Sequence, residues 1–163
     1  MKMSKEKIDI SMFAPCGMNC KVCYKHCYNK KPCSGCLNSD KGKPEHCRKC
    51  KIKDCIKGKS LSYCFECAEY PCKLIKNLEK SYNKRYQASL IENSRFVQGH
   101  GLEHFMEQQK IKYTCPKCGG IISIHDKECS ACPEKTQWPN RDWPLCPEVL
   151  QPSIHLSLIH ISE

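Results

Sequence analysis

Cys115 and Cys118 are separated by two residues, as are Cys129 and Cys132, and ten residues lie between the two pairs. Each C-x2-C step closes a turn that aims two sulfurs at one point. The two pairs therefore predict a tetrahedron of thiolates around Zn2+, with bonds of ~2.3 Å. Gly119-Gly120 after the first pair and the apolar run 121–124 fit a zinc ribbon. With all four positions taken by protein, such a site is structural rather than catalytic.

Twelve more cysteines lie between Cys16 and Cys72. Cys33, Cys36, Cys47 and Cys50 repeat the C-x2-C, x10, C-x2-C spacing, which allows a second ribbon-like site, but interleaved pairing among so many thiols is equally open. Cys47-x2-Cys50-x4-Cys55 recurs as Cys64-x2-Cys67-x4-Cys72, displaced by 17 residues. This is a duplicated knuckle or two metal half-sites with similar turns. Cys16, Cys20, Cys23 and Cys27 contain C-x3-C-x2-C, the cluster spacing of radical SAM enzymes, whose barrel of ~200 residues or more does not fit in this chain. A [4Fe–4S] cluster on these four thiolates remains the alternative to zinc. The ferredoxin pattern is not matched, since Tyr28 stands where that pattern has proline. Four groups of four leave Cys146 over, by default a free thiol.

His26 and His46 neighbour ligating cysteines and could replace one, although a solvated or supporting histidine is the commoner outcome. His100 and His104 share a helical face, but Glu103 between them does not make H-E-x-x-H. No Ser/His/Asp arrangement, phosphate loop or distinctive carboxylate pair is present, so no catalytic or cofactor-binding residue is assigned.

Composition explains why metal is needed. Leu, Ile, Val and Phe number 30 of 163 residues and the formal net charge is +10. Such a chain buries too little apolar surface to offset its entropy unaided. Disulfides or metal must make up the difference. The charged N-terminus lacks an apolar signal core, and no run is long enough to span a membrane. A cytoplasmic location with no membrane partner is therefore expected, where reduced thiols favour metal over disulfides. Sixteen thiolates and four Zn2+ would bring the charge to about +2. The lysines then serve in part to neutralise thiolate centres. Residues 1–72 hold 15 Lys/Arg against 7 Asp/Glu, so any basic surface lies in the first half.

The positioning elements follow from the remaining pattern. Residues 1–14 are a polar lead ending in a strand or packing arm. Leu74, Leu78, Tyr82, Tyr86 and Leu90 recur at i+4, the stripe of an amphipathic helix. Asn83 is expected to divide it into helices near 72–80 and 85–98, with Gly99 as the stop. A third helix is expected over 101–110, with Leu102, Phe105 and Met106 inward. Trp138-Pro139 to Trp143-Pro144 reads as an aromatic wrap. Residues 153–163 resemble translated sequencing-adapter read-through and are set aside. The expected fold is a small metal-stabilised α+β protein. A cysteine-rich module spans 1–72, a helical core 73–112, and a zinc ribbon with its wrap 113–150, followed by a tail over 151–163.

Ala14-Pro15-Cys16-Gly17-Met18-Asn19-Cys20, Cys33-Ser-Gly-Cys36, Cys47-Arg-Lys-Cys50, Ile52-Lys-Asp-Cys55 and Cys64-Phe-Glu-Cys67-Ala-Glu-Tyr70-Pro71-Cys72 resemble the cysteine-rich bacterial and archaeal family DUF3795. The resemblance runs over about 14–112, and the unit at 115–132 is similar to one that often follows in that family. The Cys27–Cys33 interval is shorter than usual, and His104-Phe105 stands where tryptophan is frequent. The family is itself uncharacterised, so the resemblance implies a metal-bearing fold and no reaction. The expected role is a zinc-binding scaffold, holding up to four Zn2+, for an unknown macromolecular partner, protein or nucleic acid. An iron–sulfur redox or sensor protein and a nucleic-acid binder using the basic first half are the alternatives.

Overall fold

The computed structural model describes residues 1–132, and within them the chain is mostly helical with few strand pairings. Three short helices lie in the cysteine-rich part: α1 (Tyr24–Cys27), α2 (Glu45–Arg48) and α3 (Lys51–Gly58). Three longer ones follow: α4 (Lys73–Tyr86), α5 (Leu90–His100) and α6 (Leu102–Tyr113). Single 3-10 turns lie at Ile10–Met12, ahead of the first cysteine, and at Cys20–Val22 and Cys64–Glu66, each beginning on a cysteine. The aromatic wrap, Cys146 and the tail lie outside the described residues.

Two helix boundaries differ from expectation. Asn83 lies inside α4, where its amide donates to the Glu79 carboxylate at 2.8 Å. That carboxylate also accepts from Ser89 Oγ (2.5 Å), Leu90 N (2.7 Å) and Ile91 N (3.2 Å). It satisfies free amides at the start of α5, which Ser89 also caps by accepting from Glu92 N. The chain therefore turns at Gln87, in the left-handed conformation, rather than at Asn83. Gly99 stays inside α5, and Gly101, with φ +87°, ends it. The stripe on α4 is also shifted. Leu74 is exposed and Ile75 is buried, because residues four apart drift by about 40° around a helix of 3.6 residues per turn.

The core is shared by all three parts of the chain. Phe13, fully buried, meets Tyr63 and Phe105 edge-on at 5.5 and 5.2 Å between ring centres. Around it one cluster gathers Val22 from the cysteine-rich part, Leu90, Val97 and Met106 from the helices, and Ile121, Ile122 and Ile124 beyond them. A second, smaller cluster joins Ile56, Cys64 and Ile75. Helices α5 and α6 therefore tie the cysteine-bearing segments together as well as packing on each other.

Gly17 marks the tightest joint. Its φ is +91°, and a Cβ there would stand 2.3 Å from the Leu90 carbonyl oxygen and 2.6 Å from Ser94 Oγ. The Gly17 carbonyl accepts from the Asn93 amide at 2.9 Å. Only glycine allows the first cysteine loop to lie this close to α5. The start of the lead segment pairs like a strand, Lys2 bridging Gly120 antiparallel, with Met3 N donating to Gly119 O at 2.9 Å and Ile121 N to Met1 O at 3.0 Å, and its apolar end packs into the core. No helix among the described residues is long and apolar enough to cross a membrane.

Candidate metal centre

The tightest group of ligand atoms is formed by Cys115, Cys118, Cys129 and Cys132, all within 4.8 Å of one another. The Cys115 and Cys132 sulfurs are 3.6 Å apart, Cys118 and Cys129 3.5 Å, and Cys132 and Cys118 3.1 Å. Sulfurs at the corners of a tetrahedron with ~2.3 Å bonds stand ~3.8 Å apart, so the spacing fits a bound divalent ion. The separations are far longer than the ~2.05 Å of a disulfide, and no disulfide joins any of the sixteen cysteines of the described residues.

The backbone around these sulfurs explains how the sequence builds the site. Cys115 N donates to Gly120 O, and Gly119 N donates to Cys115 O, both at 2.8 Å, folding the first knuckle. Gly119 takes φ +67° at the turn. Isolated antiparallel bridges pair Thr114 with Ile121 and Ile122 with Cys129, which brings the second knuckle over the first. Amides point at the sulfurs, Ala131 N lying 3.5 Å from Cys129 Sγ. A Cβ at Gly120 would fall 2.5 Å from Cys129 Sγ and 3.2 Å from Cys118 Sγ. Residue 120 is thus a cradle that leaves sulfur its space.

The electrostatics agree at two of the four sulfurs, while burial raises Cys129. Cys118 is pulled down to about 7, first by its hydrogen bond with Cys132 and further by the Gly120 amide. Burial pushes Cys115 upward, but the amides of Cys118 and Lys117 outweigh it and the net direction is down. Both effects favour the thiolate, the form that binds metal.

The twelve N-terminal cysteines are placed as neighbours without closing to that distance. Among the described residues no other group of three ligand atoms lies within 4.8 Å throughout. Their neighbourhoods are nonetheless distinct. Cys20 Sγ accepts from the Cys36 amide and feels the charge of Cys36 and Cys16, while Cys16 feels Cys36 and Cys50. Cys23 is acted on by Cys47 and Cys33, and Cys47 by Cys33. Cys55, Cys64, Cys67 and Cys72 line one cleft of about 30 Å³, room for an ion or a water and not for an organic ligand. Burial is the main reason that Cys16, Cys20, Cys23, Cys36 and Cys64 are raised as free thiols, Cys23 and Cys36 to about 11.

Cations stand beside several of these thiols. Lys59 Nζ donates to Cys67 Sγ at 3.3 Å and to Glu69 at 3.0 Å. Lys43, only 6% exposed, donates to Cys36 O, Asn38 O and Asp40 Oδ1, and its charge lowers Cys36 and Cys47 against their burial. His100 and His104 pack with Phe96 as ring neighbours, at 4.5 and 5.5 Å between centres. Sequence reasoning missed His125, which sits among Tyr24, Tyr82 and Tyr86 with Tyr82 Oη 3.3 Å from its Nε2. Nothing in its spacing could have placed three tyrosines around it.

Comparison with known proteins agrees with the cysteine pattern. Residues 12–77 match the model of a family described as "Protein of unknown function (DUF3795)". No curated protein and no solved structure matches the chain.

Proposed function

We propose that this protein is a zinc-folded scaffold that presents a surface to a macromolecular partner. The observation that carries the metal reading is the convergence of Cys115, Cys118, Cys129 and Cys132, with space kept for two of the sulfurs by the missing side chain of Gly120. Four protein thiolates around Zn2+ leave no position for substrate, which makes the site structural and of ribbon type, in a small α+β arrangement. Cysteines of the run from Cys16 to Cys72 hold further ions in the same role. Apparent binding free energies of ~10–16 kcal/mol per structural Zn2+ exceed what so small an apolar core can supply. The lysines beside Cys36 and Cys67 support a role for the basic residues in balancing thiolate charge, which favours a protein partner over a nucleic acid.

Elemental analysis of protein purified without oxygen tests this reading directly. Zinc, several ions per chain, and a colourless solution are expected. Iron with sulfide and broad absorption would replace zinc with a cluster in the N-terminal group. Exhaustive chelation should abolish cooperative unfolding by circular dichroism and open the first 72 residues to protease. An unchanged metal-free protein would overturn the reading.

A further inference from the structure

The short α1 helix carries two groups that could complete a metal site with Cys23, and the structure treats them differently. Cys27 is 3% exposed and packed into the main apolar cluster, and its thiol donates to the Lys21 carbonyl at 3.4 Å. It already has a partner within its own segment. His26, one residue earlier, turns the other way. Its Nδ1 is 2.8 Å from the Cys33 carbonyl oxygen. A carbonyl can only accept, so Nδ1 carries the proton and Nε2 presents a bare lone pair. That Nε2 atom is buried and has no hydrogen-bond partner. A buried acceptor left without a donor costs ~1–3 kcal/mol.

This is the arrangement found in metal-binding histidines, where one ring nitrogen donates to a backbone carbonyl and thereby turns the other toward the ion. The backbone brings the remaining donors to the same place. His26 N donates to Cys23 O at 2.8 Å, and Cys33 N donates to Lys25 O at 3.1 Å, so the backbones of Cys23 and Cys33 are bound to the turn that carries His26. Cys47, on α2, is the fourth donor by the Cys33-x2-Cys36-x10-Cys47-x2-Cys50 spacing, which puts it in register with Cys33, and the charges of Cys23, Cys33 and Cys47 act on one another.

We propose that Cys23, His26, Cys33 and Cys47 form a mixed site of three sulfurs and one nitrogen for Zn2+, and that Cys27 is a core thiol outside any metal site. The inference rests on the zinc reading above and deepens it. It divides the first three C-x2-C steps across two ions: Cys20 with Cys36 and Cys50 on one side, Cys23 with Cys33 and Cys47 on the other. An ion would draw the second set together around Nε2 and give that nitrogen its missing partner.

The test is metal content of the full chain and its variants, together with the visible spectrum after Co2+ replacement. Cys27→Ser should keep the wild-type metal count, whereas His26→Ala should lose one ion per chain. His26→Cys should restore that ion and shift its Co2+ bands toward an all-sulfur site. Long-range proton–nitrogen NMR of the intact wild type should show His26 with Nδ1 protonated and Nε2 metal-bound, which keeps the test decisive even if His26→Ala fails to fold. A full metal count in His26→Ala, or one ion lost from Cys27→Ser, would overturn this assignment and leave the zinc reading standing. A wild type without zinc would overturn both.

Discussion

Replacing Gly120 by alanine should damage the C-terminal metal centre through a single methyl group. The backbone at 120 is not in the left-handed region, so alanine brings no conformational strain of its own. The added Cβ would stand 2.5 Å from Cys129 Sγ, 2.8 Å from Ala131 Cβ and 3.2 Å from Cys118 Sγ. Ordinary contacts between such atoms begin at ~3.5 Å, so the Cys129 sulfur must retreat by about 1 Å. Metal–ligand bonds tolerate only ~0.2 Å. The ion must therefore lose a ligand or distort the knuckle, and a 10–100-fold loss of affinity is expected, as for disturbed supporting groups at metal sites. Competition between the protein and a chromophoric chelator, read site by site after Co2+ loading, measures it. Gly119→Ala is the control: its φ of +67° makes alanine strained, but nothing lies within 4 Å of the new atom. That variant should lose ~1–2 kcal/mol of stability and keep its metal geometry. Wild-type affinity in Gly120→Ala would refute the claim that residue 120 reserves space for sulfur.

Other substitutions test the rest of the framework. Gly17→Ala combines a left-handed backbone with contacts of 2.3 and 2.6 Å to α5 and should cost ~2–5 kcal/mol in denaturant unfolding. Gly99→Ala, inside α5 with open space around it, should instead stabilise by ~0.5–1 kcal/mol, and destabilisation there would restore Gly99 as a helix stop. Burial pushes Glu79 upward, but its hydrogen bonds from Ser89, Asn83 and the α5 amides hold the carboxyl below its ordinary 4.5. Its contribution is therefore full above pH 4.5 and lost as pH falls through the lower folded value. Glu79→Gln should be less stable than wild type by ~1 kcal/mol at neutral pH, with the gap closing in acid when both are compared at each pH. Lys43→Met removes a buried donor to two carbonyls and Asp40. It should cost ~2–3 kcal/mol and speed proteolysis within residues 36–43, and equal cleavage rates would show that the loop does not depend on this cation.

The C-terminal centre was legible because its determinants are local. Two C-x2-C steps, with the glycine pair and a short apolar run inside the ten-residue spacer, specify turns that converge whatever surrounds them, and Cys115 to Cys132 do converge. The match over residues 12–77 shows that the N-terminal cysteine run is recognisable as a pattern too. Helix content was equally readable, since the apolar stripe from Leu74 to Leu90 and the run around Phe105 need only a period of 3.6, although the buried residue at the start of the stripe is Ile75 and not Leu74. The break between α4 and α5 was not, because Glu79 reaches eleven residues ahead to satisfy Leu90 N, and no local signal at Asn83 reports that.

How the twelve N-terminal thiols divide, and that the main core draws on all three parts of the chain, belong to the tertiary structure alone. Identical C-x2-C steps are interchangeable in a one-dimensional reading, so spacing cannot say which sulfur faces which. Folding separates them by giving each a different neighbour: the Cys36 amide for Cys20, the Lys21 carbonyl for Cys27, the Cys33 carbonyl for His26. Phe13 likewise reads as the end of a polar lead, yet burial against Tyr63 and Phe105 places it at the centre. Spacing along a chain encodes turns, and turns encode pairs of ligands. The assembly of pairs into sites depends on contacts between residues far apart in sequence, which exist only once the apolar core has closed around Phe13.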